Sequence, residues 1–138
     1  KPFDIPLSTF TTAALVAFAT GTSWGTMGIL LPVAVPLVAE ASPDSILMLL
    51  LASGAVLDGA VYGDHCSPIS DTTMLSSIGS GCDHMDHVKT QFPYSTLAMA
   101  VAASMGYVLL PILGLNVFLV YLIGFAAILS FVVLIGRR

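Results

Sequence analysis

Eleven residues stand apart from the rest of this sequence: Gly63-Asp64-His65-Cys66-Ser67-Pro68-Ile69-Ser70-Asp71-Thr72-Thr73. Two carboxylates, an imidazole, a thiol and four hydroxyls lie between strongly apolar stretches. Carboxylate, hydroxyl and carbonyl oxygens are hard ligands that suit a hard cation such as Na⁺. A carboxyl group taken out of water disfavours its charged form, so it can exchange a proton for a cation. Gly63 and Pro68 are helix-breaking punctuation. They predict a helix ending near Gly63 and another restarting near Ser67, with Ser67 as N-cap and Pro68 as the first helical residue. Such a break frees carbonyls on one side and N–H groups on the other, both able to meet an ion. The competing reading is a polar loop outside the membrane. The helical composition of Asp71–Ser80 and the apolar flanks speak against it.

Three further groups carry chemistry. Thr20-Gly21-Thr22-Ser23-Trp24-Gly25-Thr26 is polar and glycine-rich within an apolar region, so its hydroxyls and backbone can complete an ion site. The alternative there is a packing kink, and Trp24 reads as a gate or an interfacial anchor. Asp58, six residues before Asp64, is a second ion ligand, a proton acceptor, or a buried hydrogen-bonding aspartate. Cys82, His84 and His87 invite a zinc reading, but a structural zinc site needs four ligands, and Asp83 and Asp86 read as solvated.

The elements that position these residues are set by composition. The chain has 138 residues, 57% hydrophobic and 9% charged, with a mean hydropathy of +0.97. A water-facing surface needs far more charge than this, so the bilayer is the expected solvent. With a net charge of −4 and no basic stripe, nucleic acid is excluded as a partner. Two cysteines make no disulfide framework. The chain starts at Lys1, shows no signal-peptide pattern, and reads as the C-terminal fragment of a longer protein.

The expected fold is an all-α membrane protein. Residues 8–38 are too long for one span and too short for two, which predicts a re-entrant hairpin with its tip near Gly21–Thr26. Residues 45–81 predict a discontinuous helix. Cys82–Gln91 predicts a polar loop, and residues 93–113 and 116–135 two ordinary transmembrane helices. Small residues such as Ala98, Ala102 and Gly106 permit close packing of the third region. If the hairpin returns to its own side, Lys89, Arg137 and Arg138 share one side of the membrane and Lys1 lies on the other. The basic side is expected to be cytoplasmic.

The segments Gly21-Thr22-Ser23-Trp24-Gly25-Thr26 with Gly28-Ile29-Leu30-Leu31-Pro32, Gly63 to Thr73 with Ser76-Ser77, and His87-Val88-Lys89-Thr90-Gln91-Phe92-Pro93-Tyr94 resemble motifs of the NhaC-type Na⁺/H⁺ antiporter family. The resemblance covers about residues 8–95; beyond them only hydropathy agrees. It implies half of an inverted-repeat ion-transporter fold in a multi-pass protein of the cell (inner) membrane. It also implies exchange of external protons for internal Na⁺, with Thr22, Ser23, Asp64, Ser67, Ser70, Asp71 and Thr72 at the site. In that reading Asp64 and Asp71 compete for Na⁺ and H⁺, and Asp58 joins them on its own sequence position. The family also holds malate/lactate exchangers and amino-acid transporters, which these motifs do not separate. The expected function is therefore Na⁺/H⁺ antiport without enzymatic activity or cofactor. The alternatives are a Na⁺- or H⁺-coupled carrier of a small organic anion or amino acid, and a membrane-anchored metal-binding protein using His65, Cys66, Cys82, His84 and His87. Expected partners are Na⁺, H⁺, the lipid bilayer, the remaining N-terminal part of the transporter and, as an option, a second copy in a homodimer.

Overall fold

The structure is a computed structural model of the chain and describes residues 4–110, 114 and 116–135. Lys1, Arg137 and Arg138, which carry most of the sidedness expectation, lie outside the described residues, as does the end of the third expected span at 111–113. All regular structure among the described residues is helical. α1 (Asp4–Thr20) and α2 (Ser23–Ala41) form a pair, followed by α3 (Ile46–Cys66) and α4 (Asp71–Ser80). α5 (His84–Val101) runs on into a π-helical segment, Ala102–Leu109, and α6 spans Val117–Ile135. Four stretches are long and apolar enough to cross a membrane: Ser23–Ala41, Ile46–Cys66, His84–Leu109 and Val117–Leu134.

The turn between α1 and α2 is made by two adjacent residues. Gly21 adopts a left-handed φ of 68°, and its N–H donates to the Ala17 carbonyl at 2.8 Å, which closes α1. Thr22 then caps α2: its Oγ1 accepts from the Gly25 N–H at 3.3 Å. The arms hold 17 and 19 residues, longer than the sequence suggests, because Pro32 and Pro36 sit inside α2 rather than ending it.

α1 lies along α3 on a seam of small residues. Ala13, Ala17, Ala52, Ala55 and Ala60 are fully buried. Gly59 and Gly63, four apart on one face of α3, let the α1 backbone come into direct contact. A Cβ on Gly59 would strike the Phe10 carbonyl and the Ala13 methyl; one on Gly63 would strike the Ala14 carbonyl and the Phe18 amide. Two apolar clusters extend this seam. Phe10, Ala55 and Tyr107 join α1, α3 and the π-helical segment, while Val38, Met48 and Ala52 join α2 to α3.

The break after α3 differs from the expected one. α3 has 21 residues, a full span rather than a half-helix. Ser67 closes α3, its N–H donating to the carbonyls of Gly63 at 3.0 Å and Asp64 at 3.3 Å. Ser70, not Ser67, stands at the N-cap position of α4. Ser67 and Ser70 both have extended ψ angles, 128° and 136°. Pro68 therefore lies in the linker, where its missing N–H costs nothing. The expected polar loop at Cys82–Gln91 is also helical from His84 onward. Asp83 Oδ1 accepts from the Met85 and Asp86 amides at 2.9 and 3.1 Å, an N-cap strong enough to start α5 there.

Candidate functional site

Asp64 sits in the last turn of α3 and is 4% exposed. Its Oδ1 accepts from the Ser70 hydroxyl at 2.6 Å. Its Oδ2 accepts from the Ser23 hydroxyl at 3.3 Å and the Thr72 hydroxyl at 3.4 Å. Ser70 and Thr72 are themselves 2.8 Å apart. The hydroxyls come from the first residue of α2, the α3–α4 linker and the first turn of α4. Their convergence has a visible cause at Gly21: a Cβ there would stand 2.8 Å from the Ile69 carbonyl oxygen, so only glycine lets the hairpin turn seat against the linker. That contact places Ser23, two residues on, against Asp64.

Ser70 gives its hydroxyl to Asp64 and makes no side-chain cap on α4. Backbone oxygens tie the end of α3 to α4. Thr73 Oγ1 lies 3.5 Å from the Asp64 carbonyl and 3.4 Å from the His65 carbonyl, in the turn where α3 runs out of helical partners.

The electrostatics of this cluster are lopsided. A buried carboxylate is costly unless a counter-charge accompanies it, and hydroxyl donors stabilise the charge without neutralising it. Among the described residues the one Lys or Arg is Lys89, which pairs with Asp86 at 3.3 Å on an exposed surface. Asp64 thus has oxygen neighbours and no cationic side chain. Each neighbouring hydroxyl can turn a lone pair toward a cation. The arrangement suits a small hard cation or a proton.

The structure brings Ser23, Asp64, Ser70 and Thr72 together and leaves the other expected residues outside. Thr22 is occupied as the α2 cap. Ser67 is fully buried, and its Oγ accepts from the Ile69 amide at 3.3 Å, holding the linker rather than Asp64. Asp71 is exposed, and its Oδ1 accepts from the Thr72 amide at 2.8 Å. Asp58 lies on a different face of α3, where it accepts from the Tyr107 hydroxyl at 2.5 Å. Trp24, 84% exposed, lies on the outer surface beside the turn.

Sequence reasoning misses two residues. Thr73 lies within the motif without a signal of its own. Tyr107 is 49 residues from Asp58 and carries no local signal. His84, a metal-ligand candidate by sequence, has another role here: its Nε2 meets the Pro68 carbonyl at 2.6 Å and its Nδ1 the Ser77 hydroxyl at 3.1 Å, bracing the linker against α4 and α5. With His84 so engaged, the metal-binding alternative loses a ligand. Among the described residues no three His, Cys, Asp or Glu side chains gather to hold a metal.

Comparison with known proteins gives this geometry a context. The model of the Na⁺/H⁺ antiporter family matches residues 1–112. An uncharacterized protein of Haemophilus influenzae is 53% identical over 104 residues, covering 75% of this chain and 19% of the relative. The arginine/ornithine antiporter ArcD of Halobacterium salinarum is 40% identical over 95 residues, covering 69% and 19%. The malate-2H⁺/Na⁺-lactate antiporter of Bacillus subtilis is 37% identical over 97 residues, covering 70% and 20%. The chain thus spans about one fifth of the length of these relatives. No solved structure matches it.

Proposed function

This chain belongs to the Na⁺/H⁺ antiporter family, and from that membership we propose that it carries the cation site of a secondary transporter exchanging Na⁺ for H⁺ by alternating access. As part of a multi-pass membrane protein, it belongs with transporters rather than enzymes, and the cell membrane is the usual location of such proteins. The observation that carries the exchange reading is Asp64, a buried carboxylate ringed by the Ser23, Ser70 and Thr72 hydroxyls with no Lys or Arg beside it among the described residues. Either a proton or Na⁺ can neutralise it, and the two compete for the same oxygens. Na⁺ takes the carboxylate and the Ser23, Ser70 and Thr72 hydroxyls as hard ligands. A proton takes one carboxylate oxygen and leaves the hydroxyls hydrogen-bonded.

We further propose that α1 and α2 re-enter the membrane from one side, that the chain is half of an inverted-repeat fold, and that the rest of the transporter closes the site. The seating of Gly21 against Ile69 supports the first of these, since it ties the tip to the Asp64 cluster. Pairing into a homodimer is compatible with the same arrangement.

A second reading is favoured by the names of two relatives, which pair malate with lactate and arginine with ornithine. In it the same cluster couples Na⁺ or H⁺ to a small organic anion or amino acid. Reconstitution of the full-length transporter in liposomes separates the two. Na⁺/H⁺ exchange predicts proton movement on an imposed Na⁺ gradient without organic solute. Movement only when malate, lactate, arginine or ornithine is supplied selects the coupled carrier.

A further inference from the structure

The second intramembrane carboxylate belongs to a different environment from the first. Asp58 lines two clefts at once. One, of about 630 Å³, lies between α3, α5 with its π-helical extension, and α6; the other, of about 360 Å³, lies between α1, α3 and α5. Their walls are otherwise mainly apolar, with Leu50, Leu51, Val101 and Phe125 in the first and Phe10, Leu57 and Met99 in the second. The titratable groups that share these walls are Tyr62 and His65 on α3, Tyr107 on the π-helical segment and Tyr121 on α6. Among the described residues no Lys or Arg lines either cleft, and the one hydrogen bond to the carboxylate comes from the Tyr107 hydroxyl, at 2.5 Å on Oδ2. Tyr107 is itself fixed, 6% exposed, with its ring 5.1 Å from that of Phe10.

This environment selects among cations by how many oxygens each needs. Na⁺ requires several hard oxygen ligands, and among the described residues Asp58 accepts a hydrogen bond from Tyr107 alone. A proton requires one oxygen, which Oδ1 supplies. An unpaired carboxylate between apolar walls at membrane depth is the kind of group that relays protons. Asp64, by contrast, has three hydroxyls on its carboxylate. We infer that the two carboxylates divide the exchange: Asp64 holds Na⁺, and Asp58, positioned by Tyr107, carries the proton on a different face of α3. The step is formation of an O–H bond at Asp58 Oδ1 when the clefts open to one side of the membrane and its cleavage when they open to the other. No electrons move, and the Tyr107 hydroxyl stays on Oδ2. This inference rests on the Na⁺/H⁺ exchange reading but gives each ion its own carboxylate in place of competition at Asp64 alone.

The test uses the full-length transporter in liposomes, with exchange of radiolabelled Na⁺ for unlabelled Na⁺ and Na⁺-driven proton movement measured side by side. Asp58→Asn is expected to keep Na⁺/Na⁺ exchange and lose proton movement, whereas Asp64→Asn loses both. Proton movement persisting in Asp58→Asn overturns the inference. So does loss of Na⁺/Na⁺ exchange in the same folded variant, because Asp58 would then belong to the Na⁺ site. Should Asp58→Asn not fold, Tyr107→Phe decides. It keeps the ring contact with Phe10 and removes the donor that positions the carboxylate. Its Na⁺-driven proton movement is expected to fall while Na⁺/Na⁺ exchange persists, and unchanged proton movement overturns the inference. Absence of Na⁺-driven proton movement in the unmutated transporter is a separate result: it fells the exchange reading itself.

Discussion

Hydroxyls at neighbouring positions do different work in this chain, and the difference is measurable. Thr22 caps α2 through the Gly25 amide, while Ser70 donates to a buried carboxylate. Thr22→Ala is expected to lower stability by about 1 kcal/mol and leave apparent Na⁺ affinity unchanged; a thermal melt and a Na⁺ titration of transport read the two quantities. Ser70→Ala removes a donor and a cation ligand together, worth about 1.5 kcal/mol, which is roughly a tenfold loss of apparent Na⁺ affinity in the same titration. The motif from Gly63 to Thr73 made Asp64, Ser70 and Thr72 legible because they lie close in sequence, and the hairpin tip made Ser23 legible. Thr22, Ser67 and Asp71 looked equivalent because residue type cannot show which hydroxyl or carboxylate the local backbone has already engaged. Tyr107 was invisible, since its meeting with Asp58 depends on how the π-helical segment packs on α3.

At the scale of the elements, hydropathy marked the helices well and their ends poorly. α6 occupies Val117–Ile135, close to the expected span. By contrast, α5 starts ten residues before Tyr94, at His84, because the Asp83 cap outweighs the polarity of the turn that follows. The α1–α3 seam depends on glycine at close approach. Gly59→Val is expected to overpack it against Phe10 and Ala13 and cost about 1–3 kcal/mol. Gly79→Val, which meets no atom within 4 Å, is expected to be neutral or slightly stabilising, because valine costs less than glycine within a helix. Melting temperatures of the two variants check the contrast. The re-entrant proposal is tested by cysteines placed at positions 4 and 42 in a background with Cys66 and Cys82 replaced by serine. Labelling of both from one side is the expected outcome, and labelling from opposite sides rejects re-entry.

On the scale of the whole molecule, the chain spans about one fifth of the length of its relatives, and its outer faces look built for apolar surroundings. Phe118 and Leu134 on α6 are 84% and 76% exposed, as bilayer or the remaining transporter would require. Sidedness is a property of this scale. Lys89 together with Arg137 and Arg138 is expected on the cytoplasmic side. A reporter fused after Arg138 that is active only in the cytoplasm is expected to score positive, and activity of an exported-side reporter at that point reverses the topology. The cation site is where the account stands or falls. The direct measurement is Na⁺-dependent proton flux by the full-length transporter in liposomes, comparing the unmutated protein with folded Asp64→Asn, whose amide keeps the size of the carboxylate but neither binds Na⁺ as an anion nor takes up a proton. Abolished flux in the variant is the predicted result, and flux equal to that of the unmutated protein would contradict the account.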